Sequence, residues 1–222
     1  NDLDAYKAYL DPNNIGWGSN QTKCNHGNLY QVYHHFNLNT ANNALAEKIM
    51  SHYIHYMHGI NPNALTYLTK MSALGADRSV NTIYHGWFTE GSALWDDVRT
   101  STYGPAPGFI PGGPNPNWSL DGCCPSSCGS AVNNNLCNIT NPPSNQPALK
   151  SYKEWNTGWP QNSWEVTENS IYSQSAYLFL LSSIVNQSAS IIPIANQIET
   201  NNDLYVSTIG KIGRASCRER VS

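Results

Sequence analysis

The stretch Trp159-Pro160-Gln161-Asn162-Ser163-Trp164-Glu165-Val166-Thr167-Glu168-Asn169-Ser170-Ile171-Tyr172-Ser173-Gln174-Ser175-Ala176-Tyr177-Leu178 decides how this chain is read. Pro160 and Asn162 interrupt regular structure, Ser163 is placed to cap a helix, and Ile171, Ser175, Leu178 and Phe179 repeat at helical spacing. The pattern predicts one helix entered from a loop of aromatic and turn residues, with Glu165 and Glu168 in its first turns. A helix dipole stabilises carboxylates there as anions, which is a sufficient structural reason for both. The aromatics add a chemical reason: Trp155, Trp159, Trp164, Tyr172 and Tyr177 surround the two carboxylates in sequence. Aromatic faces with a carboxylic acid between them suit the binding and cleavage of sugars. An apolar neighbourhood raises a carboxyl pKa toward the range of a general acid.

Working outward, the 222 residues suffice for one domain with its own core. Only 12% are charged, yet aromatic and aliphatic residues are plentiful, so the chain is not of disordered composition. It is not basic either, which argues against a nucleic-acid partner. No apolar run approaches the roughly 18–20 residues of a membrane span, so no membrane association is expected. The chain begins at Asn1 and is expected to be a fragment or processed product. Residues 211–222, Lys211 to Ser222, carry 4 of the 12 Lys and Arg residues. This segment resembles a DNA-sequencing adapter translated in one frame, and we expect it to be an artefact. Without it the formal charge moves from −3 to −6, with 8 basic and 14 acidic residues left.

Asp2–Leu10 reads as a short helix ending at Asp11-Pro12, and Ile15–Asn20 as a loop. Cys24–Phe36 reads as a helix. Asn39 or Thr40 caps another over about Ala41–His58, with Leu45, Ile49, Tyr53, Tyr56 and Met57 as its core stripe. Gly104-Pro105-Ala106-Pro107-Gly108-Phe109-Ile110-Pro111-Gly112-Gly113-Pro114-Asn115 excludes helix and central strand, and predicts a rigid loop. Cys123, Cys124, Cys128 and Cys137 lie within 15 residues in a polar loop and are read as two disulfides, leaving Cys24 unpaired or a ligand. His34, His35, His52, His55 and His58 lack a metal-binding pattern such as His-Glu-x-x-His. Asn186–Gly210 reads as a linker or the start of another module.

Four segments carry a family resemblance. Trp164-x-x-x-Glu168-x-Ser170-x-x-x-Gln174-Ser175 resembles the C-terminal signature of glycoside hydrolase family 9. It departs at Gln174, where the family usually has Asn, and at Trp159, where it usually has Asp. Trp17-Gly18-Ser19-Asn20 resembles a family loop leading into a barrel helix. Gly59-Ile60-Asn61-Pro62 with Tyr84-His85-Gly86-Trp87-Phe88 resembles the family's turn and sugar-binding segment, without its usual Arg. The Pro/Gly loop around Gly112-Gly113-Pro114-Asn115 resembles a loop beside the cleft.

The resemblance implies an all-α fold: an (α/α)6 toroid, here incomplete, with about the last five helices and long loops over 1–185. It implies an inverting endo-β-1,4-glucanase of cellulose or related β-glucans in the full-length parent, with Glu168 as general acid and Glu165 as its rival. Tyr84, His85, Trp87 and Trp164 become sugar-binding residues. The family's base, an Asp of an Asp-x-x-Asp motif, has no match here, so these residues alone are expected to be inactive. No cofactor is required. Relatives with structural calcium or zinc make Asp96, Asp97 and Asp121, or Cys24 with His26, the residues to inspect. A secreted, extracellular monomer acting on polysaccharide is expected. The other readings are a family member acting on another β-glucan and a non-catalytic carbohydrate-binding protein.

Overall fold

The computed structural model describes residues 4–84, 92–118, 142–155 and 163–188, with side chains to 185. His85, Trp87, Asp121, Trp159, Cys123, Cys124, Cys128, Cys137 and everything from 189 onward lie outside the described residues. Contacts divide the chain into two units, Asn1–Ile184 and Val185–Ser222. The elements below belong to the first, except the last turn of the final helix.

The N-terminal segment corrects the first helix expectation. Residues 4–10 form a turn and irregular chain. The reason is Asp4, whose buried carboxylate accepts from the Tyr6 N–H at 2.9 Å and the Ala8 N–H at 3.0 Å. An Asp that hydrogen-bonds its own downstream backbone offers a turn in place of a helix. Asp11 does the same for Asn13 and, with Pro12 following, starts the short 3-10 turn Pro12–Asn14.

Helix α1 spans Ser19–His35 and α2 spans Asn43–Met57. Between them a 3-10 turn, Thr40–Asn42, is capped by the Asn39 side chain, which accepts from the Ala41 N–H. The two helices form an αα-hairpin. On α2 the buried face is Ala46, Met50, Tyr53, Ile54, Tyr56 and Met57, whereas Leu45 is exposed. Of the expected stripe, Tyr53, Tyr56 and Met57 are buried and Ile49 packs against the core, so the departure is Leu45. Two short strands, absent from the sequence reading, follow: β1, Thr66–Thr69, pairs in parallel with β2, Ser79–Val80. Thr-Tyr-Leu-Thr suits a strand by its β-branched and aromatic content, but four residues give too short an alternation to be legible.

The expected single helix near the C-terminus is two. A one-turn helix α3, Trp164–Thr167, ends at Glu168, whose φ of −57° and ψ of 131° leave the helical region. Helix α4, Ile171–Ser188, then begins afresh. Its cap is Ser170, whose Oγ accepts from the Ser173 N–H at 3.1 Å. This is the side-chain cap that helix N-termini favour. Ser163 instead donates its hydroxyl to the Trp155 carbonyl. The buried face of α4 is Ser173, Ala176, Tyr177 and Leu180, while Ile171, Leu178 and Phe179 are exposed.

The core joins all these elements: Cys24 of α1, most of α2's inner face, Tyr67 and Leu68 of β1, Val80, Ile83, Ile110, Val166 of α3, and Tyr177 and Leu180 of α4. Each large side chain fully buried there contributes roughly 1.5–3 kcal/mol. Gly27 lets α1 approach α4, because a Cβ at that position falls 2.7 Å from Leu180 Cδ1 and 3.2 Å from Tyr53 Cβ. Among the described residues, no helix is long and apolar enough to cross a membrane.

Candidate active site

Glu168 sits at the break between α3 and α4, half-buried and outside both helices. Its Oε2 accepts a hydrogen bond from the Trp17 indole Nε1 at 2.8 Å, across 151 residues of sequence. Trp17 is half exposed, at 52%. It stands in the turn before α1, where Gly18 takes the left-handed conformation (φ 76°) that a side chain would resist.

Three segments converge to hold this pair, and every step is a hydrogen bond with a backbone group on at least one side. The start of α1 grips the Pro/Gly loop: Asn20 N–H donates to the Gly112 carbonyl at 2.9 Å, Asn20 Nδ2 to the Pro111 carbonyl at 3.1 Å, and Ser19 Oγ to the Pro114 carbonyl at 2.7 Å. The Pro/Gly loop in turn grips α3, with Gly113 N–H donating to the Val166 carbonyl at 2.8 Å. Gly113 has φ 98°, and a Cβ there falls 2.5 Å from the Asn20 side chain, so only glycine fits. From α4, Gln174 closes the loop's other end. Its Oε1 accepts from the Ile110 N–H and its Nε2 donates to the Ile110 carbonyl, at 3.1 and 2.8 Å.

Glu165 is placed differently. Its Oε2 accepts from Asn115 Nδ2 at 3.0 Å. Asn115 is itself buried, and its N–H donates to the Ser151 carbonyl at 2.8 Å. Glu165 thus anchors the Pro/Gly loop, while Glu168 faces the exposed indole. Tyr84 reaches the same place through its backbone, its N–H donating to the carbonyl of Thr167, the residue before Glu168, at 3.3 Å. Trp164, half-buried, begins α3.

The aromatics expected around the carboxylates scatter. Tyr177 turns into the core, its hydroxyl 2.8 Å from His58 Nε2. Trp155 packs edge-on against Trp118. Tyr172 is exposed. Among the described residues, Trp17 donates to Glu168, and sequence spacing does not single it out as the partner.

Asp97 binds Arg99 through two charge-assisted hydrogen bonds, at 2.5 and 2.9 Å. That pairing holds its carboxyl below the usual range against the opposing effect of burial. Cys24 is free and fully buried, and burial pushes its thiol pKa up. His26 packs edge-on against Tyr53. Asp121 lies outside the described residues, and among the described residues no group of three or more His, Cys, Asp or Glu is placed to hold a metal ion.

The model of glycosyl hydrolase family 9 matches residues 6–181. The chain belongs to glycosyl hydrolase family 9. Among solved structures, AaCel9A in complex with cellobiose-like isofagomine is similar in fold, with a TM-score of 0.52 and 19% identity over 80% of this chain. The match covers 26% of that chain, so the present one spans about a quarter of its length. No curated protein sequence matches significantly. Family membership agrees with the convergence just described: three of the four segments that resemble the family are brought to one place around Glu168, and the fourth enters through Tyr84.

Proposed function

We propose that this chain forms part of an inverting β-1,4-glucanase, contributing the general acid and one wall of the cleft. It supplies the C-terminal part of an (α/α)6 toroid. The observation that carries this reading is the Glu168 carboxylate held at its Oε2 by the exposed Trp17 indole. A general acid must meet the leaving oxygen in one orientation, and a single firm donor on one carboxylate oxygen fixes the rotamer while leaving the other for the substrate. Glu168 protonates the departing glycosidic oxygen. A second carboxylate, about 6.5–9.5 Å away across the sugar, activates the water that attacks from the opposite face. That base comes from a part of the catalytic domain outside this sequence. Tyr84, His85, Trp87 and Trp164 bind the sugar in this reading. A secreted enzyme working on cellulose or a related β-glucan follows from the same reading.

The test is a pair of substitutions in the longer catalytic domain. Glu168→Gln is expected to lower kcat by about 10²–10⁴, the usual worth of a positioned acid, with oligosaccharide binding retained. Glu165→Gln is expected to leave kcat within about threefold, because its partner is Asn115 and its work is structural. The reverse pattern makes Glu165 the acid. No loss from either substitution favours a non-catalytic carbohydrate-binding protein.

A further inference from the structure

Glu154 is a half-buried carboxylate that the mechanism above does not use. It sits beyond the end of β2, where the ladder stops at Val80 and the next backbone N–H groups lose their strand partners. Glu154 takes them over. Its Oε2 accepts from the Asn81 N–H at 2.6 Å and the Thr82 N–H at 3.2 Å, and its Oε1 accepts from Asn81 Nδ2 at 2.6 Å. Burial pushes its carboxyl pKa up, while the Asn81 and Thr82 donors and the Arg99 charge oppose that. A group kept there at that cost, facing three donors, is matched to an acceptor-only side chain.

The consequence lies two residues on. Asn81 is fixed from its other side by the Val98 N–H, which donates to the Asn81 carbonyl at 3.1 Å. Thr82 and Ile83 are buried, and Tyr84 N–H reaches the Thr167 carbonyl beside Glu168. The strand end is therefore clamped at one end by Glu154 and at the other by the residue preceding the proposed acid. We infer that Glu154 is a positioning residue: it sets the segment that delivers Tyr84 to the sugar, and so sets substrate affinity without touching substrate. This rests on the reading of Glu168 and Tyr84 given above.

The experiment uses the longer catalytic domain and a soluble cello-oligosaccharide. Glu154→Ala is expected to raise KM about tenfold with kcat within about twofold, since the acid itself stays on Trp17. Glu154→Gln keeps the shape and two acceptor sites on one oxygen, and is expected to restore most of that loss, with KM about threefold above the parent. If Glu154→Ala does not fold, Glu154→Gln decides alone. An unchanged KM in the folded variant, whatever happens to Tm, overturns the inference, as does a fall in kcat with KM unchanged. Calorimetric binding of the same oligosaccharide in a Glu168→Gln background separates the two claims. If Glu168→Gln remains active, the assignment of the acid fails, while weaker binding on adding Glu154→Gln still supports the clamp.

Discussion

The indole–carboxylate pair is the most specific contact at the residue scale. A hydrogen bond to a charged group is worth about 1.5–3 kcal/mol, and the exposure of Trp17 reduces that to about 1 kcal/mol. Trp17→Phe keeps the ring and removes the donor. It is expected to lower kcat about fivefold while lowering stability by no more than about 1 kcal/mol, as read from steady-state kinetics and urea unfolding. Loss of folding instead of turnover assigns Trp17 to the scaffold. Glu168 was legible in the sequence through its signature, but Trp17 was not. A contact between residues 151 positions apart leaves no periodicity, and the turn that aims the indole is set by Gly18 in a left-handed conformation. The signature favours Glu168, but three-residue spacing puts Glu165 on the same face of a continuous helix and keeps it as a rival. The helix break at Glu168 separates them.

At the scale of elements, the site depends on loops gripping one another through backbone atoms. Gly113→Ala places a Cβ into the Asn20 side chain at a positive φ, so it combines backbone strain with a displaced hydrogen-bond donor. The expected loss is at least about 1 kcal/mol of unfolding free energy, with a matching fall in activity. Unchanged Tm and kcat would show that the loop can shift without consequence for Glu168. Helix α2 was readable because apolar residues recur over four turns, whereas α1 buries Ser19, Asn20, Lys23, Cys24, Gly27 and Asn28, shows no such stripe, and begins at Ser19, five residues before the expected Cys24. Helix α4 was readable as a helix but not in its orientation. Ile171, Leu178 and Phe179 are as apolar as Ala176, Tyr177 and Leu180, so periodicity offers two faces, and the core selects one. Asp4 shows the opposite failure: a sequence that scores as helix is captured by a side chain bonding its own backbone.

Across the whole molecule, apolar surface on several elements is left uncovered: Leu29, Val32 and Phe36 on α1, Leu45 on α2, and Ile171, Leu178 and Phe179 on α4 are all exposed. A cavity of about 870 Å³ between α1, α2 and the N-terminal segment is lined by Leu29, Tyr30, Tyr33, Leu45, Ile49 and Tyr53 among others, and by neither Trp17 nor Glu168. Such faces mark interaction surfaces or packing partners. Residues 1–222 expressed alone are expected to bind a hydrophobic dye and self-associate, and a monodisperse, dye-silent chain contradicts the proposal that further helices of a toroid cover them. The core also carries a titration signature. Lys23 has no exposed surface; its ammonium donates to the Ala8 carbonyl and lies 4.2 Å from the Tyr56 ring centre. Burial lowers its pKa to about 8 from 10.5, against the pull of Asp4 and Cys24. Between those values the folded chain holds fewer protons than the unfolded one, so the Lys23 contribution to stability grows as pH rises. Tyr53 and Tyr67 act the other way, because burial raises both and the folded chain then retains protons that the unfolded one loses above pH 10. Lys23→Met removes that rise, and the slope of its unfolding free energy against pH is expected to lie below the parent's between pH 8 and 10.5. Equal slopes place the Lys23 proton elsewhere. The central claim concerns the acid. The most direct measurement compares Glu168→Gln on two substrates in the longer catalytic domain: a cello-oligosaccharide and an aryl cellobioside whose leaving group needs no proton. The account predicts a loss of about 10²–10⁴ in kcat on the first and a far smaller loss on the second. Equal losses on both contradict it.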